Sequence, residues 1–105
     1  MELTRGEKLD QAMRRHPQTR PWLTTWRRRT EAADWANLVE VRRDFPSADG
    51  VPVRSGQGKV VVTVFNVCGN DYRLLTFIHY HRQQVVVVDV LTHAEYSKGH
   101  WKNRL

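Results

Sequence analysis

Three runs rich in β-branched and aromatic residues constrain this chain most: VVVTVFNV at 60–67, YRLLTFIHY at 72–80 and VVVVDVL at 85–91. Such side chains fit a pleated, half-buried surface. The links between the runs, Gly69-Asn70 and His81-Arg82-Gln83-Gln84, are too short for a crossover, so the strands must be antiparallel neighbours. The first two runs predict a hairpin. The near-continuous apolar character of 85–91 predicts an interior position in the sheet. A further short strand is expected at 51–54, between the turn signals SADG and SGQGK.

The first half has a different period. Thr4 and Glu7 have capping-box spacing and predict a helix over about 5–15, ended by Pro17. Pro21 suits the first turn of a second helix after Thr19, with Trp22, Leu23, Trp26 and Thr30 roughly on one face. A third helix is expected over 35–43, with Asp34 as its N-cap, Trp35, Leu38, Val39 and Arg42 in period, and Asp44-Phe45-Pro46 as its stop. At the other end, Thr92 and Glu95 repeat the capping-box spacing directly after the last strand. That predicts a helix to about His100 or Trp101, with His93, Tyr96 and His100 on one face. Together these elements predict one α+β domain over 1–105: N-terminal helices packed on a small, mostly antiparallel sheet, with a short C-terminal helix.

Size and charge narrow the possibilities. A chain of 105 residues supports one core and excludes a multidomain machine. The single cysteine, Cys68, excludes an internal disulfide, and no Cys/His set has zinc spacing. No apolar run approaches the roughly 18 residues of a membrane span, and the N-terminus lacks a signal-peptide core, so a cytoplasmic protein is expected. The formal charge is +6; residues 1–49 hold 10 basic and 8 acidic side chains, whereas residues 50–105 hold 7 and 3. The excess in the second half favours a polyanionic partner such as nucleic acid or the ribosome.

Candidate chemistry concentrates near the C-terminal end. His93 and Tyr96 are side chains that can take and return a proton in phosphodiester chemistry, and Lys98 and Lys102 add cations. As structure alone, the same segment is a capped amphipathic helix with solvated lysines. Arg73 lies within an apolar strand on the side of Leu75, Phe77 and His79; it is either an edge charge that blocks aggregation or a fixed cation for phosphate. His79 and His81 share a strand face, but a third metal ligand is not evident. Arg27-Arg28-Arg29 fans out in three helical directions and reads as a solvated face. Cys68 reads as a small turn residue rather than a nucleophile. The tryptophans read as core, with Trp101 as a base-stacking surface if it is exposed beside Lys98 and Lys102.

Three blocks in residues 64–102 carry a resemblance: Phe65-Asn66, Gly69-Asn70 and Tyr72-Arg73-Leu74; Ile78-His79-Tyr80; and LTHAEY at 91–96 followed by Trp101-Lys102. In motif and spacing they resemble the HigB-type toxins of the RelE superfamily. The first half agrees in outline through its Trp-rich helix and DFPSAD at 44–49. The resemblance implies a RelE-like fold and the toxin of a type II toxin–antitoxin pair. It further implies a metal-independent mRNA interferase without cofactors, which cuts messenger RNA on the ribosome by attack of a 2′-OH on the adjacent phosphate. Arg73 would hold the scissile phosphate, His93 and Tyr96 would serve proton transfer or stack on a base, with acid and base not assigned between them, and Asn70, Lys98, Lys102 and Trp101 would contact RNA. The implied partners are a cognate antitoxin, commonly a helix-turn-helix protein encoded adjacently, and the ribosome with its message, the free toxin being a monomer. The competing reading is a non-catalytic module on the same fold, either a gyrase inhibitor or an inactive antitoxin-binding protein. Many relatives carry a basic residue near Asp89, and a carboxylate there would weaken RNA contact or orient His93.

Overall fold

The computed structural model describes residues 1–56 and 58–105. Chain order is β1 (Glu2–Thr4), α1 (Glu7–Arg15), α2 (Arg20–Ala32), α3 (Leu38–Asp44), β2 (Asp49–Ser55), β3 (Gly58–Val67), β4 (Tyr72–His79), β5 (Gln84–Thr92) and α4 (His93–Lys98), with 3-10 turns at Pro17–Thr19 and His100–Arg104. The five strands form one sheet in the order β1-β5-β4-β3-β2. All neighbours are antiparallel except β1 and β5. The α+β architecture and the interior position of the 85–91 strand agree with the sequence reading. Of the SGQGK turn, Gln57 lies outside the described residues.

Each sheet face has its own apolar cluster. On one face, Leu9 and Ala12 of α1, Leu23 and Trp26 of α2, and Val41 of α3 cover Phe65, Val67, Tyr72, Leu74, Val85 and Val87. The predicted α2 stripe is this contact. On the other face, Val53, Val62, Val64, Leu75 and Leu91 pack under Trp101, and no α-helix longer than α4 covers them among the described residues. This face has room for a site.

A bulge sets where that site lies. In the β4–β5 ladder Leu75 opposes Asp89 but Thr76 opposes Val87, so Val88 is an extra residue on β5. The insertion restarts the period-two alternation: Val85 and Val87 belong to the helix-covered cluster, as does Val90, while Leu91 falls in the other. Without it, Leu91 could not lie beside Arg73 on the open face.

Four local expectations are corrected. The Thr4/Glu7 capping box does not form. Glu2–Thr4 instead pairs with Gln84–Val86, the Thr4 hydroxyl donates to the Val85 carbonyl at 3.5 Å, and Gly6 is the N-cap of α1. The third helix starts at Leu38, not Trp35, and its N-cap is Asn37, whose Oδ1 accepts from the Glu40 N–H at 3.1 Å. Trp35 is held outside the helix because its buried indole donates to Asp44 Oδ2 at 2.8 Å and its carbonyl accepts from Gln83 Nε2 at 2.7 Å. The last helix stops at Lys98, since Gly99 takes the left-handed conformation at φ 75° that ends helices. Finally, β4 ends at His79 and His81 lies in the following turn, so the two do not share a strand face.

The three consecutive arginines of α2 are partly structural. Arg27 approaches Asp10 at 4.0 Å and Glu31 at 3.9 Å, and Arg29 approaches Asp44 at 3.9 Å, tying α2 to α1 and to the end of α3. Such exposed pairs contribute little each, at most about 1 kcal/mol.

Candidate nucleic-acid site

The β3–β4 turn builds the first half of the site. Cys68 and Gly69 are consecutive left-handed residues at φ 53° and 70°, which reverses the chain within four residues and leaves Asn70 and Asp71 at the rim. Burial, and then the Asp71 carboxylate, push the Cys68 thiol up, against nucleophile behaviour and in accord with a turn residue.

Arg73 follows the turn on β4, the middle strand of the sheet, which removes the edge-charge reading. It is 9 % exposed. Its Nη1 donates to the Asn70 carbonyl at 3.0 Å and to the Tyr72 carbonyl at 3.1 Å, while Nη2 donates to Asn70 Oδ1 at 3.3 Å. Across the ladder stands Asn66, whose Nδ2 donates to the same Asn70 Oδ1 at 3.4 Å. The guanidinium is thereby fixed in direction. No carboxylate lies within ion-pair distance of it among the described residues. A buried cation held only by neutral oxygens is under-compensated and suited to an incoming anion.

Helix α4 supplies the second half. The capping box is formed as expected: Thr92 Oγ1 accepts from the Glu95 N–H at 3.1 Å, and Glu95 Oε1 accepts from the Thr92 N–H at 2.9 Å. The hydrogen bond from the Thr92 backbone is the main reason that the Glu95 carboxyl lies below its usual range. The His93 N–H donates to the Asp71 carbonyl at 2.9 Å, which docks the helix start on the β3–β4 turn. One turn on, the Tyr96 ring centre is 5.5 Å from the Arg73 guanidinium carbon. Burial raises the Tyr96 phenol, Arg73 opposes that shift and Asp49 reinforces it.

Trp101 is the floor of this arrangement, not its surface. It is 2 % exposed, stacks on Tyr96 at 5.4 Å with planes 14° apart, and donates its indole N–H to the Tyr96 carbonyl at 3.1 Å. The expectation of an exposed base-stacking Trp101 is therefore corrected: the left-handed step at Gly99 folds the following turn back onto the sheet. Lys102 lies with its ammonium 5.7 Å from the Trp101 ring centre. Lys98 and His93 are exposed, and His100 is off the face of His93 and Tyr96 because α4 has already ended.

The structure thus brings Asn70, Arg73 and Tyr96 together, with Trp101 and Lys102 behind and His93 at the helix start. Sequence reasoning missed two neighbours as site residues. Asn66 was legible by period two from Val62 and Val64 on the open face. Asp49, held by Arg42 at 3.1 Å, acts on Tyr96 from β2, a cross-sheet relation without a local signal. Asp89 accepts from the Val90 N–H at 2.8 Å and lines a second cavity, of about 530 Å³, with Arg5, Lys8 and Arg104; it makes no hydrogen bond to His93 among the described residues. No group of three or more His, Cys, Asp or Glu is placed to hold a metal among the described residues, and none of their helices is long and apolar enough to cross a membrane.

No curated protein matches the chain. A family model does: HigB toxin, the RelE-like toxic component of a toxin–antitoxin system, over residues 19–99. That match spans α2 through the end of α4 and contains both halves of the site. The chain belongs to the HigB family of RelE-like toxins, the toxic component of a toxin–antitoxin system with a cognate antitoxin as its partner.

Proposed function

We propose that the toxin is a ribosome-dependent mRNA endonuclease that works without metal or cofactor. The observation that carries this reading is Arg73, a buried guanidinium pinned by Asn70 and Tyr72, lacking a carboxylate partner among the described residues and facing the Tyr96 ring. An immobilised cation in a partly desolvated place stabilises charge that develops on a phosphate in the transition state.

In this reading the 2′-OH of the nucleotide before the scissile bond attacks phosphorus while His93 takes its proton. Arg73 offsets the charge on the non-bridging oxygens. The bond to the 5′ oxygen breaks, and that oxygen receives the Tyr96 proton, leaving a 2′,3′-cyclic phosphate and a 5′-OH. The Tyr96 phenol, whose pKa burial raises, is protonated at neutral pH, which is the form a proton donor must have. Asn70 positions Arg73, and Lys98 and Lys102 attract the RNA backbone. The ribosome and its message would be the working partners, in the cytoplasm, with a monomeric free toxin. A helix-turn-helix antitoxin encoded beside it would be its inhibitor.

Primer extension on a cellular message after brief induction tests this. Codon-linked cuts are expected, and Arg73→Ala and His93→Gln should remove both cuts and toxicity while folded. Intact messages with a DNA-damage response would instead favour gyrase inhibition.

A further inference from the structure

A groove of about 880 Å³ opens beside the Arg73 site, between α2, the 44–47 segment and the β3–β4 turn. Its size falls within the range of about 300–1,000 Å³ typical of small-ligand sites. Two of its walls are aromatic: Trp22 and Phe45 are half-buried, with ring centres 6.1 Å apart and planes inclined at 46°. Asn66 and Asn70, the residues that frame Arg73, line the groove as well, so the groove on the helix-covered face and the Arg73 site on the open face meet at the β3–β4 turn. Trp26 is also a lining residue, and its buried indole N–H finds no acceptor among the described residues.

We infer that this groove is a nucleobase subsite, taking the base of an unpaired nucleotide adjacent to the phosphate held by Arg73. The inference rests on the RNA-cleavage reading. A base needs π surfaces for its faces and amides for its edge, and the groove offers both: Trp22 and Phe45 for stacking, Asn66 and Asn70 for the edge. Arg29, whose guanidinium carbon stands 4.7 Å from the Phe45 ring centre, adds a cation at the same wall. Paired with Asp44, it leaves this wall near neutral, which suits an uncharged base better than a second phosphate.

The test uses the whole protein and a single-stranded hexaribonucleotide blocked by 2′-O-methyl groups and carrying one 4-thiouridine. Binding is read by anisotropy, and photo-crosslinks are mapped by mass spectrometry. Trp22→Leu retains an apolar side chain without the ring, and Thr25→Glu places a carboxylate on the exposed lip of the groove. Each should weaken binding about tenfold, and the wild-type crosslink should fall on Trp22 or Phe45. Unchanged affinity in both variants, crosslinks confined to other surfaces, or RNA-independent occupancy by the antitoxin alone would overturn the subsite. Cleavage on programmed ribosomes is scored separately. If the wild type cuts but binds bases elsewhere, only the subsite fails; if it binds here without cutting, only the cleavage reading fails.

Discussion

The Arg73 guanidinium carbon lies 5.5 Å from the centre of the Tyr96 ring, and that ring in turn stacks on Trp101 at 5.4 Å. One strand residue, one helix residue and one residue of the terminal turn thus form a single pile on the open face of the sheet. The pile couples the packing of the open face to Arg73: whatever loosens Trp101 also moves the ring that faces the buried cation.

Arg73 is a buried charge without a counter-ion among the described residues, so an anion should stabilise the folded protein by mass action. Inorganic phosphate or a short blocked RNA should raise the Tm of the wild type by a few degrees, given about 4–8 °C per kcal/mol for a domain of this size. Arg73→Lys cannot reproduce the fork on Asn70 and Tyr72 and should lose that response together with at least about a hundredfold in cleavage. A Tm that rises equally in wild type and Arg73→Lys would show that the anion binds elsewhere.

Trp101→Ala should cost about 3–5 kcal/mol in chemical denaturation, because it removes the ring under which Val53, Val62, Val64, Leu75 and Leu91 pack. Trp101→Phe keeps much of that burial but loses the indole bond to the Tyr96 carbonyl, and a smaller loss of about 1 kcal/mol is expected beyond the volume change. Neither variant, when folded, should alter the salt dependence of RNA binding. A change in salt slope would mean that loosening Trp101 displaces a cation that contacts the RNA backbone, Lys102 beside its ring being the nearest.

The hairpin, the interior strand and the second capping box were legible because each has a local cause: β-branched runs, a Gly69-centred turn, and Thr92 with Glu95 three residues later. Arg73 was legible as an anomaly, a charge in an apolar strand, although only the sheet order tells that its strand is central. Other features depend on distant partners. Glu2–Thr4 is too short for a pattern and becomes a strand only because β5 offers a free edge. The β5 bulge hides within a run of valines, where every register looks alike. Trp101 was misplaced for want of one local reading: Gly99 ends α4 and sends the chain back onto the sheet.

The capping box of α4 makes an acid-side prediction. Glu95 has its pKa lowered in the folded state, chiefly by the Thr92 backbone hydrogen bond, so its contribution is complete above the unfolded glutamate value of about 4.3 and is lost as pH falls through the folded value. Urea midpoints measured from neutral pH to pH 3 should fall more for the wild type than for Glu95→Gln. Thr92→Ala should cost about 1 kcal/mol at neutral pH and displace His93 and Tyr96 with the helix start. Parallel pH curves for wild type and Glu95→Gln would remove the box from the acid response.

Tyr96 makes the alkaline-side prediction and separates its proposed role from that of His93. Burial raises its pKa above the ordinary tyrosine value of about 10, so the neutral phenol is the folded form. The associated stability is complete below the unfolded value and is lost as pH rises through the folded one. In a tyrosinate absorbance titration, Tyr80 and Tyr96 should ionise late, and Tyr96→Phe should delete one late step. The same variant keeps the ring on Trp101 but has no proton to give, and cleavage should fall by about 10²–10⁴ while the Tm changes little. His93→Gln, which cannot take the 2′-OH proton, should lower cleavage by a similar factor while the blocked RNA still binds. If Tyr96→Phe cuts at the wild-type rate, the leaving oxygen takes its proton from another donor, and Tyr96 serves only as the stacking partner between Arg73 and Trp101.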